Sequence, residues 1–106
     1  MRKFVVVLKS KQCGTLTDEL LVAHVNHLKS LQSKGLLFIC GPYTDNDRAL
    51  QIIIADSITE AKHYIKSDPF IEKGYYADYE ISELIEANDD NNWLMNDGQT
   101  DGNISK

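Results

Sequence analysis

Cysteine is scarce in this chain of 106 residues. The two present, Cys13 and Cys40, have a spacing that fits neither a metal site nor a redox pair. Cys40 lies in an apolar run and reads as a small buried hydrophobe. Cys13 precedes Gly14 in a polar loop. Long hydrophobic runs are missing as well. The stretch Phe4–Leu8, just after Met1-Arg2-Lys3, is too short for a signal peptide or a membrane span. A reduced cytoplasm is the expected location. Positive charge is also in deficit, with 11 Lys and Arg against 16 Asp and Glu, for a net charge of −5. Beyond Ala87, four aspartates face the single Lys106, so the tail carries −3 of that total and the body only −2. A nearly neutral body does not suit nucleic acid or anionic membranes as partners. Gly35, Gly41 and Gly74 stand singly, so no phosphate-cradling loop is implied.

What is present is a clear alternation of elements. Phe4–Leu8 is rich in β-branched residues and predicts a first strand. Thr17 suits a helix N-cap, and Asp18 and Glu19 suit the positive end of the helix dipole. That helix runs to Lys34, with Gly35 placed to end it. Leu36–Cys40 predicts a second strand closed by Gly41-Pro42. After a turn-rich Tyr43–Asp47, Leu50–Ala55 predicts a third strand that forms a hairpin with the second. Ser57-Ile58-Thr59-Glu60 has the form of a capping box opening a second helix. Pro69 disfavours helical backbone at Asp68 and should stop it there. Tyr75–Ile81 alternates as a fourth strand, with Tyr75, Ala77, Tyr79 and Ile81 on one face and Tyr76, Asp78 and Glu80 on a wetter one.

The order β-α-β-β-α-β predicts an α+β, ferredoxin-like fold over residues 1–86, an antiparallel sheet with two helices on one face. The three leading strands are apolar on both faces, yet two helices cover only one. An apolar sheet face of that size marks an interaction surface. The expectation is a homodimer packed sheet to sheet, closing a dimeric α+β barrel. Residues 87–106 form an acidic, polar tail with one apolar cluster, Trp93-Leu94-Met95, and are expected to be largely disordered.

His24 asks for an explanation. At about 100° per residue, Leu20, Leu31, His24, Leu28 and Leu21 share one arc of the first helix, with His24 at its centre. A ring that changes charge near neutral pH therefore points at the core or at a cleft. The bland reading is a core histidine bonded to a backbone carbonyl. The sharper reading pairs it with Asp68 at the end of the second helix, in the groove between the two helices. A carboxylate beside an imidazole fixes its tautomer and stabilises its charged form, which suits general acid or base work. Asp68 also has a structural reading, as the cap of the turn around Pro69. His27, three residues beyond His24, and His63 on the second helix could share a metal with it. No His-Glu-x-x-His or Cys-rich pattern supports this, and no metal or other cofactor is expected. Tyr75, Tyr76 and Tyr79 read as strand packing rather than as a ligand platform.

These residues form a recognisable combination. Ala23-His24-Val25-Asn26-His27-Leu28, then Leu31, Gly35, Leu36 and Gly41-Pro42, resembles the YciI family. So do Ser57, Glu60 and Ala61 ahead of Asp68-Pro69-Phe70 and Gly74. The resemblance runs from about residue 3 to residue 85 and leaves the tail outside. It implies a dimeric α+β barrel, and it implies that the family's candidate active-site pair falls on His24 and Asp68. It also implies that Gly41, Pro42 and Phe70 contribute to substrate binding. Relatives often carry an arginine three residues before the histidine. Here that place is Leu21, which weakens a charged-substrate reading unless Arg48 or a lysine takes over.

The leading expectation is a cofactor-free enzyme that moves a proton on a small organic substrate, by elimination or isomerisation. No serine or cysteine nucleophile accompanies His24 in a known motif. The alternative is a non-catalytic, homodimeric module that binds a small molecule in the same groove.

Overall fold

A computed structural model describes residues 1–95. Four strands and three helices follow in the order β1 (Arg2–Lys11), α1 (Asp18–Ser33), β2 (Leu37–Pro42), β3 (Ala49–Ala55), α2 (Ile58–Lys66), α3 (Pro69–Glu72) and β4 (Tyr76–Leu84). The sheet order is β2-β3-β1-β4, and every neighbouring pair is antiparallel. The expected ferredoxin-like α+β architecture is thus present, with a short extra helix, α3, where the sequence predicts only a stop. Among the described residues no helix is long and apolar enough to cross a membrane.

The element ends follow the local chemistry. Thr17 accepts the Leu20 N–H at the start of α1. At its end Gly35 takes a left-handed φ of 74°. The Leu36 N–H then bonds the Leu31 carbonyl and the Gly35 N–H bonds the Gln32 carbonyl, the paired closure that a glycine at this place allows. Ser57 accepts the Glu60 N–H, but the Glu60 carboxylate reaches the Asp56 N–H instead of that of Ser57, so the capping box is half formed. Asp68 has ψ 124°, the extended backbone required before Pro69, and Pro69 opens α3 at the first helical position.

One sheet face is closed by the helices. Phe4, Val6 and Leu8 of β1 and Ile53 and Ala55 of β3 are buried with Leu31, Ala61, Ile65 and Phe70. The register sets Phe4 against Ile53 and Val6 against Gln51, so a glutamine lies in the middle of this face. On the opposite face Val5, Val7, Ile52 and Ile54 are half-buried, and Phe38 and Ile39 at the β2 edge are exposed.

Two expectations need correction. Cys40 is exposed rather than buried, because β2 is an edge strand with a neighbour on one side only. Tyr76, expected on the wetter face of β4, is 3% exposed and packs near Phe70 and Tyr75. Beyond β4, where no structure is expected, Asp89–Leu94 form a 3-10 turn capped by Asn88. Trp93 donates to Asp89 there, and Trp93 and Met95 remain exposed. The rest of the tail lies outside the described residues.

Candidate active site

The site is built around a carboxylate that water does not reach. Asp68 is fully buried, and its two oxygens accept three hydrogen bonds. Oδ1 accepts His24 Nδ1 at 2.8 Å and the Phe70 backbone N–H at 2.9 Å. Oδ2 accepts Gln51 Nε2 at 2.8 Å. The bond to Phe70 makes Asp68 the N-cap of α3. The cap and the pairing with His24 therefore coincide: one Asp68 oxygen caps the helix and also holds the imidazole. Burial pushes this carboxyl up, but the hydrogen bond and charge of His24, then the bonds from Gln51 and Phe70, outweigh it and hold it below the ordinary carboxylate range.

An ionised carboxylate only accepts, so His24 Nδ1 must carry the proton of that bond. Nε2 is then the nitrogen left for proton exchange. The imidazole is held on a second side by Phe70, whose ring stacks on it at 3.7 Å between centroids and 5° between planes. Phe70 in turn packs against Tyr75 at 4.7 Å and Tyr76 at 5.9 Å. The histidine is therefore neither a core histidine bonded to a carbonyl nor a loose surface ring. It joins α1 to α3 across a sequence separation of 44 residues.

His24 opens onto a cavity of about 380 Å³, within the range of small-molecule sites. Its walls come from α1 (Leu21, Val25, Leu28), from the β2–β3 hairpin and from Phe70, Tyr75 and Tyr76. Gly41, Pro42 and Phe70, the expected binding residues, all line it. Leu21 lines it too, so an apolar side chain stands on that wall. Arg48 is not among the lining residues; its guanidinium sits over the Tyr43 ring at 4.8 Å.

Other candidates fall elsewhere. His27 is half-buried with an unpartnered Nε2, and His63 is exposed beside Tyr64. Among the described residues no group of three or more His, Cys, Asp or Glu side chains is placed to hold a metal ion.

Three site residues escaped the sequence reading. Gln51 fixes the second oxygen of Asp68, and its own Oε1 is buried without a partner. Its signal was a single polar residue at a core position of an apolar strand. Cys40 lines the cavity opposite Gln51 in the β2–β3 register. Although the residue as a whole is exposed, burial of its thiol, with the charge of Asp68, raises it above the usual range and keeps it protonated. Lys11 is the third, and it contributes a cation to the cavity wall.

Comparison with known proteins places the chain in a family. Residues 3–85 match the YCII-related domain, and the chain belongs to that family. No curated protein matches it. Among solved structures, one similar chain is the 5-chloro-2-hydroxyhydroquinone dehydrochlorinase TftG of Burkholderia phenoliruptrix AC1100, in complex with 2,5-dihydroxybenzoquinone. It is 23% identical, with 79% of this chain and 94% of that chain covered and a TM-score of 0.64. At that identity the likeness is one of fold.

Proposed function

We propose that this member of the YCII-related family is a small enzyme that transfers a proton on a small organic substrate, with His24 as the acid or base and Asp68 as its positioning partner. The observation that carries the reading is the 2.8 Å bond from His24 Nδ1 to a fully buried, ionised Asp68, with the same ring facing the cavity. A histidine that needed only a satisfied Nδ1 could use a backbone carbonyl. Burying a carboxylate for that purpose costs free energy that three hydrogen bonds must offset. What the carboxylate adds is stabilisation of the imidazolium that forms when Nε2 takes a proton.

The step is a simple one. Neutral Nε2 removes a proton from a carbon or oxygen acid in the cavity, and the electron pair left behind expels a leaving group or shifts along the substrate. The imidazolium then returns its proton to the product or to water. Elimination or isomerisation suits a single imidazole that shuttles one proton. The solved relative is by name a dehydrochlorinase, a class whose reaction removes a proton and a chloride, and this agrees in kind with the step.

The partly covered sheet face supports a homodimer as the working form. Val5, Val7, Ile52 and Ile54, with exposed Phe38 and Ile39, form an apolar surface that a second copy would cover. The test of the catalytic reading is turnover in a screen of small eliminating and isomerising substrates. His24→Ala and Asp68→Asn should each lower kcat/KM by about 10²–10⁴-fold while the chain stays folded. An activity that both variants retain would refute the reading.

A further inference from the structure

Lys9 and Lys11 belong to the same strand and have the same parity. Flat pairing would put both side chains on one face. They part company at Ser10, which has a left-handed φ of 59°. That conformation is costly for a residue other than glycine and marks a place where the backbone is held against its preference. Before it, Lys9 pairs with Asp78 and bonds Glu80 at 2.7 Å. After it, Lys11 lines the cavity, and Tyr76, its register partner on β4, is buried in the same wall.

Lys11 is the one fixed cation among the lining residues, and no carboxylate is among them. Its ammonium donates to the Asn46 carbonyl at 2.7 Å and lies 5.7 Å from the centroid of the Tyr75 ring. Asn46 has a left-handed φ of 59° as well. Two locally disfavoured turns, on separate segments, thus hold one lysine beside an otherwise largely apolar space. An ammonium has three donors, and a carbonyl and a ring face leave capacity for an anion.

We propose that Lys11 anchors an anionic oxygen group of the ligand, so that the cavity takes a small, flat, apolar body bearing one carboxylate or phenolate. This deepens the reading of the cavity as the reaction site and rests on it. The lining sets the class. Leu21, Val25, Leu28, Phe70 and Tyr75 favour an apolar ring, while Lys11 repels a cation and attracts an anion. An acidic group held there would fix which carbon of the substrate faces His24.

The test measures binding, not turnover. Benzoate is compared with benzamide, and 4-nitrophenolate with 4-nitroanisole, by calorimetry on the wild-type chain, Lys11→Met, Lys11→Arg and His24→Gln, each checked for folding by its amide NMR spectrum. At least one anion should bind wild type about tenfold tighter than its neutral counterpart, a preference that Lys11→Met abolishes and Lys11→Arg largely keeps. The pair that shows it identifies carboxylate or phenolate as the group recognised. The preference should weaken with added salt and persist in His24→Gln, so failure of the proton-transfer reading would leave this result standing. Equal binding of anion and neutral analogue in both pairs, or no binding of either anion, overturns the proposal. So does a preference that survives Lys11→Met but is lost in His24→Gln, because the imidazole would then be the anchor.

Discussion

His24 lies flat on Phe70, with ring centroids 3.7 Å apart, and the backbone N–H of the same Phe70 bonds the carboxylate oxygen that holds His24. The segment Asp68-Pro69-Phe70 thus fixes the imidazole twice, in its plane by a hydrogen bond and from its face by a ring. Pro69 sets the geometry between the two by opening α3 immediately after Asp68.

Removing the ring while keeping the backbone separates these contributions. Phe70→Leu should leave the cap of α3 intact and lower stability by about 1–2 kcal/mol, from lost stacking and lost volume. Urea denaturation would measure this. Turnover should fall further than stability, because the imidazole loses the surface that orients it. Unchanged kcat/KM in a folded variant would show that the stack does not serve the reaction.

Asp68→Ala should be among the most damaging single changes. It would leave the His24 Nδ1, Gln51 Nε2 and Phe70 donors in a dry site without their acceptor, at a cost of about 3–5 kcal/mol. Asp68→Asn keeps an oxygen for some of these bonds and should cost less. Its amide no longer requires a proton on His24 Nδ1. Long-range nitrogen–proton NMR should therefore find His24 protonated at Nδ1 in wild type at alkaline pH and a mixture of tautomers in Asp68→Asn.

Stability should fall in acid through this same group. The folded carboxyl of Asp68 sits below its unfolded value of about 4. Its contribution is therefore complete above the unfolded value and lost as pH drops through the depressed folded one. Denaturation midpoints should decline as the pH falls below the unfolded value of about 4 in wild type, and more shallowly in Asp68→Asn. Parallel profiles for the two chains would mean that other carboxyls carry the acid sensitivity.

The sheet face gives an independent test. Ile52 and Val5 are register partners on the face away from the helices. Ile52→Lys would place a charge at the middle of any sheet-to-sheet interface. Sedimentation equilibrium should find a dimer in wild type and a monomer in the variant, with the strands still formed by circular dichroism. A monomeric wild-type chain at micromolar concentration would remove the proposed assembly.

Much of this fold is written locally. The Thr17 cap, the left-handed Gly35 closure and the stop before Pro69 each involve groups within about one helical turn, and they formed as expected. The element order then leaves few ways to arrange the sheet. The site was legible in part: His24 in an apolar arc and Asp68 before a proline stood out, and the placement of both helices on one face made their meeting plausible. The bond between them depends on how α1 packs on α3, which no local pattern specifies. Strand parity even misleads for Tyr76, which is buried beside Phe70 and Tyr75 although it alternates with exposed Asp78 and Glu80. Cys40 reads as buried because its neighbours are apolar, but its position on an edge strand exposes it. The sequence by itself determined the order of the main helices and strands and where α1 and α2 begin and end, since the helix ends rest on hydrogen bonds between near neighbours. Tertiary packing alone decided that a buried carboxylate, a stacked imidazole and a lysine from the far end of β1 would share one cavity, since that outcome rests on contacts between distant segments.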